Sequence, residues 1–143
     1  MVEVLAPRLT PTRWPILVPG IEQRSRVFAS NHAAVPDVVT FVRDALDAWG
    51  VSHLSASASR AVPALAEWIL EHDRCPLGFV LTAWIDRPLV FVDITDRSKS
   101  LPYMGSDPGP EDQDLHIDMA AFAEDWGAEA TPLSRCLWLS LLA

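Results

Sequence analysis

Two short apolar runs, Gly78 to Ile85 and Leu89 to Ile94, stand on either side of the break Asp86-Arg87-Pro88. Both are rich in the Val, Ile, Leu and Phe that pleated, half-buried backbone favours, so each predicts a strand. A break this short leaves room only for a reversal, so the two strands form a hairpin. A hairpin with an apolar face needs a second layer to cover it.

The rest of the chain supplies that layer. Val35, Val38, Val42, Ala45, Leu46 and Trp49 recur at helical spacing, with Pro36 suited to a first turn and Gly50 placed to end the helix. A second stripe, Ala61, Leu65, Trp68, Ile69 and His72, predicts another helix, with Pro63 near its start and Pro76 beyond its end. The stretch SHLSASAS before it reads as a polar loop. Residues 98–113, with several Pro, Gly and acidic residues, read as a long loop. Leu115, Met119, Phe122 and Trp126 then predict a third helix ending at Gly127. Arg24 to Ser30 and Arg135 to Leu142 predict a first and a last strand. The order strand, helix, helix, strand, strand, helix, strand suits an α+β two-layer sandwich: a mixed sheet covered on one face by about three helices.

A chain of 143 residues fills one domain. Pro7, Pro11, Pro15 and Pro19 remove backbone donors and favour extended chain, so residues 1–23 are expected to be a proline-rich arm and residues 24–143 the domain. Trp14 in that arm is an aromatic suited to anchoring a contact. The 11 basic and 19 acidic side chains leave a net charge of −8 without a basic cluster, which disfavours nucleic acid and anionic membrane as partners. The apolar run from Cys75 to Ile85 is too short to span a bilayer, and the opening residues do not read as a signal peptide, so a cytoplasmic protein is expected. Cys75 and Cys136 lie far apart and suggest buried thiols rather than a disulfide framework. His72 and Cys75 have ligand-like spacing but no second pair, so no metal is expected. His32, His53 and His116 stand apart, and spacing assembles no triad from them.

With three short landmarks, this order over Arg24 to Ala143 resembles the actinobacterial ATP-binding proteins related to anti-sigma-factor serine kinases, within the GHKL (Bergerat-fold) ATPases. The helix VPDVVTFVRDALDAWG looks like the family's first helix. In the family the second helix carries a catalytic Glu and, four residues on, a magnesium-holding Asn; the match to AVPALAEWILEHDRC implies Glu67 and Glu71 for these roles, with His72 close by. A register three residues earlier would put Ala64 and Trp68 there instead, and an i,i+4 acidic pair is also what a solvated helix face looks like. The segment VDITDRSKSLP implies Asp96 as the residue that holds the adenine amine, or else a strand-ending Asp that caps a turn. Arg135 stands where the family often has Lys.

The third landmark departs from the family. Its Gly-x-Gly turn lets helix N-terminal amides approach phosphates, but EDQDLHIDMAAFAEDWG has Glu111, Asp112 and Asp114 there and no glycine between Gly109 and Gly127. Carboxylates beside a triphosphate repel it. ATP and magnesium binding is therefore expected to be weak or absent, and no other cofactor is expected. The resemblance so altered implies a non-catalytic or weakly catalytic regulatory protein that binds a sigma factor, an anti-sigma antagonist or another regulator, with a homodimer as the default assembly. The alternative is a pocket reused to bind or transform another small molecule through Glu67, Glu71, His72 or Asp96. A working serine kinase comes third.

Overall fold

The computed structural model describes residues 22–72 and 75–143. In chain order these form β1 (Glu22–Phe28), α1 (Val35–Ala48), α2 (Ser55–Glu71), β2 (Phe79–Asp86), β3 (Leu89–Asp96), α3 (Pro110–Phe122), β4 (Asp125–Ala130) and β5 (Arg135–Leu142). The five strands make one sheet in the order β1-β2-β3-β5-β4. The expected α+β two-layer architecture is present, and the sheet is antiparallel at every pairing where a mixed sheet was expected.

Strand alternation sends Phe79, Leu81, Ala83 and Ile85 of β2, Val90, Val92 and Ile94 of β3, and Leu137, Leu139 and Leu141 of β5 to the same face. That face meets the helices. Val38, Val42, Ala45 and Leu46 of α1 and Ala61, Leu65, Ala66 and Ile69 of α2 repeat every three or four residues and are sealed against it. Leu115 and Met119 bring α3 onto the same core. Each large aliphatic side chain so enclosed contributes about 1.5–3 kcal/mol relative to exposure. The hairpin turn is tied down as well: Arg87 Nη2 donates to the carbonyl of Trp49 at 2.8 Å, a cation at the C-terminal end of α1.

Three elements differ from their sequence-based expectation. The α2 helix begins at Ser55, so most of the Ser-rich stretch is helical and Pro63 lies well inside the helix. The reason is that Ala58 continues the apolar stripe and is buried, so tertiary packing overrides the weak propensity of Ser. The α3 helix stops at Phe122, and Trp126 and Gly127 belong to β4, a strand that the helical spacing of Trp126 concealed. Gly127 faces Trp138 across the β4–β5 ladder, where a Cβ would come within 2.8 Å of the indole, so the glycine is a seat for that ring rather than a helix end. Finally, β1 runs Glu22–Phe28 rather than from Arg24 to Ser30. The expected arm, apart from Glu22 and Gln23, lies outside the described residues. Among the described residues, no helix is long and apolar enough to cross a membrane.

Gly78 and Gly50 both have φ in the left-handed region, +89° and +74°. They differ in surroundings: a Cβ on Gly78 would lie 2.5 Å from the Phe28 carbonyl oxygen, whereas one on Gly50 would meet nothing within 4 Å. Both alanine variants incur roughly 1–2 kcal/mol of left-handed strain. Gly78→Ala is expected to lose clearly more than Gly50→Ala in chemical denaturation, because it must also displace the β1 backbone.

Candidate functional site

The end of β3 and the start of β5 are neighbours, and their register sets Asp96 opposite Arg135. Both side chains point to the helix layer, under the last turns of α2, and both are fully buried. The guanidinium meets the carboxylate as a fork, Nε to Oδ1 at 2.8 Å and Nη2 to Oδ2 at 3.1 Å. Its remaining reach is also used. Nη1 donates to the Ser100 carbonyl at 2.8 Å and Nη2 to the Ile69 carbonyl at 3.2 Å, in the last turn of α2, where that oxygen also accepts from the His72 amide at 3.4 Å. Asp96 Oδ1 accepts a second bond, from the Ser98 amide at 3.0 Å. The Trp68 ring lies alongside, its centroid 5.5 Å from the guanidinium carbon.

A second carboxylate joins the cluster from α3. Asp112 is buried in the first turn of that helix, where negative charge is favoured. Its Oδ1 accepts from the Trp68 indole at 2.6 Å and its Oδ2 from the Tyr103 amide at 2.8 Å. The carbonyl of Tyr103 is in turn 2.6 Å from His116 Nε2, and His116 packs edge-on against Trp126. The segment between β3 and α3 is thus held at Ser98, Ser100 and Tyr103. Leu101, Tyr103 and Met104 nevertheless remain exposed on it, at 38%, 51% and 44%.

The sequence-predicted residues fall into two groups. Asp96 and Arg135 come together, with each other as partners. His72 lies at the margin of their cluster, stacked on Trp68 with ring centroids 4.0 Å apart and its Nδ1 2.9 Å from the Trp68 carbonyl. Glu67 and Glu71 are exposed on α2 and belong to no such constellation. Asp112, which sequence reasoning placed among acids facing a phosphate, is instead an internal hydrogen-bond acceptor. Among the described residues, no three His, Cys, Asp or Glu side chains gather as metal ligands.

Sequence reasoning missed one titratable group. Asp93, in the middle of β3, alternates with Ile94 and so points to the sheet face opposite the helices. It is 1% exposed, and among the described residues neither carboxyl oxygen has a hydrogen-bond partner. Burial pushes its carboxyl well above the usual carboxylate range. Nearby, burial pushes the Cys136 thiol up. The available signal for Asp93 was an acid at an interior position of an otherwise apolar strand, LVFVDITD.

Comparison of the sequence with protein-family models and with curated proteins finds no match.

Because Asp93 holds its proton more tightly folded than unfolded, its stability contribution is full below the unfolded carboxylate pKa and is lost as pH rises above it. Asp93→Asn, a neutral isostere, is therefore expected to match the parent near pH 4 and to be more stable at pH 7. Paired urea denaturations at the two pH values measure this; equal stability at both would show that Asp93 ionises freely in the fold.

Proposed function

We propose that this protein is a non-catalytic regulatory binding protein, related to anti-sigma-factor kinases, which acts through contacts with another protein. The observation that carries this reading is the commitment of Asp96: its two carboxylate oxygens hold Arg135 and the Ser98 amide inside the protein. An adenine amine at Asp96 would have to displace a buried, bidentate cation, and truncating one member of such a pair costs about 3–5 kcal/mol. Of the remaining candidates for chemistry, Glu67 and Glu71 face solvent and His72 is stacked on Trp68.

The same cluster supports binding. Arg135, Trp68 and Asp112 fix the backbone at Ser100 and Tyr103, so the segment that exposes Leu101, Tyr103 and Met104 is ordered before any partner arrives. A pre-ordered segment with apolar side chains loses less conformational entropy on docking. The partner class that the family resemblance favours is a regulator of transcription initiation, a sigma factor or an anti-sigma antagonist, and the acidic chain suits a basic or neutral one.

Two measurements test this reading. Calorimetry with Mg-ATP is expected to give no saturable binding below millimolar concentrations, and a micromolar dissociation constant would restore the kinase reading. Tagged protein is then used to capture partners from a lysate of the source organism. The partner is expected to fall at least tenfold with Tyr103→Asp or Met104→Asp and to be retained by Glu67→Ala. Capture indifferent to the Tyr103 and Met104 changes, or a measurable turnover abolished by Glu67→Ala, would contradict it.

A further inference from the structure

Leu115 and Met119 hold α3 to the core, and Glu111, Asp114 and Ile117 on its other side are exposed. The segment after β3 runs alongside, because the Tyr103 amide bonds Asp112 and the Tyr103 carbonyl meets His116, one turn further along the helix. Of the eight large apolar side chains exposed among the described residues, four lie on these two neighbours: Leu101, Tyr103, Met104 and Ile117, the last 60% exposed. Exposed apolar side chains gathered in this way mark a contact with another molecule.

The charge of the chain is concentrated on the same stretch. Residues 100–134 hold 8 of the 19 acidic side chains and none of the 11 Lys and Arg, so the rest of the chain is balanced and the net charge of −8 belongs here. On α3, Glu111, Asp114 and Asp118 are spaced by three and four residues and form one stripe beside Ile117. Arg60 reaches α3 only at Phe122, one turn beyond Asp118.

Charge complementarity decides the occupant. A two-fold interface pairs a surface with itself, so a second copy docking here would set carboxylates against carboxylates. Nucleic acid and anionic membrane are repelled for the same reason. The backbone limits the shape of the occupant. The peptide groups of α3 are bonded within the helix, and the Ser100 carbonyl and both Tyr103 groups are engaged inside the fold. The surface therefore offers side chains rather than a strand ladder, and what docks on it has to satisfy its own backbone, as a helix does. Resting on the reading of the chain as a regulatory binding protein, we propose that this surface takes an amphipathic, basic helix of the partner. Its Lys or Arg side chains meet Glu111, Asp114 and Asp118, and its apolar face covers Tyr103, Met104 and Ile117.

A fluorescein-labelled Lys-Leu peptide of about 18 residues, with Leu at helical spacing, tests this by fluorescence anisotropy with the full-length protein at physiological salt. Saturable binding is expected, at least tenfold tighter than for a peptide of the same composition with Leu scattered around the helix, and absent when Glu replaces Lys. Asp114→Lys with Asp118→Lys is expected to weaken it at least tenfold and Ile117→Ser at least threefold. Asp44→Lys with Asp47→Lys, the same change of net charge on exposed positions of α1, is expected to weaken it less than twofold. Circular dichroism checks that each variant is folded; if the α3 pair is not, Asp114→Asn with Asp118→Asn replaces it, with at least a threefold loss expected. Equal weakening by the α1 and α3 pairs would reduce the contact to diffuse attraction and overturn the proposal. So would equal binding of the scattered peptide, or no saturable binding at all. Binding lost with Ile117→Ser but indifferent to the α3 charges would overturn the basic occupant and leave the protein-binding reading standing. That reading fails by a separate result, saturable Mg-ATP binding.

Discussion

The guanidinium of Arg135 is the point on which the rest of the molecule turns. It is fully buried, and a buried cation is tolerated only where carboxylate and carbonyl oxygens surround it. It finds them in three parts of the chain: Asp96 at the end of β3, Ile69 in the last turn of α2 and Ser100 in the following segment. One side chain therefore fixes a strand register, a helix end and a loop. Asp112 extends the same network to α3 through the Trp68 indole, so both layers are joined by polar contacts at one end and by aliphatic packing elsewhere.

This arrangement explains why two residues singled out by type at the ends of β3 and β5 are internal partners. A carboxylate and a guanidinium set in cross-strand register satisfy each other. The network gives the chain a rigid edge with exposed apolar side chains. The two faces of the sheet contrast in the same terms. On the helix face Asp96, Arg135 and Asp112 have partners, whereas on the opposite face Asp93 has none among the described residues and burial pushes its carboxyl well above the usual range.

Much of the fold was legible because periodicity and burial agree in α1, in the β2–β3 hairpin and in β5. Where they part, other forces dominate. The β4 strand was hidden because Trp126 falls one helical repeat after Phe122, and only the β5 partner reveals that Gly127 seats the Trp138 ring. The start of α2 was hidden because Ser is a weak helix former, while Ala58 packs as part of the stripe. Of the site, Asp96, Arg135 and His72 could be singled out by residue type and neighbourhood. That Asp96 and Arg135 pair with each other, and that Asp112 reaches Trp68 across 44 residues, depends on strand register and helix placement that no local pattern encodes. Asp93 was legible in principle, since an acid inside an apolar strand must be either partnered or neutral.

Asp96 is the internal partner of Arg135. A double-mutant cycle tests it most directly, with Asp96→Asn, Arg135→Met and the combined variant compared by urea denaturation at neutral pH. Each single change is expected to destabilise the fold by about 3–5 kcal/mol because it strands a buried charge. The double variant is expected to be far less damaged than the sum, with a coupling energy of at least about 2 kcal/mol. Additive losses, with coupling near zero, would mean that the two groups act independently and that Asp96 is available for a ligand.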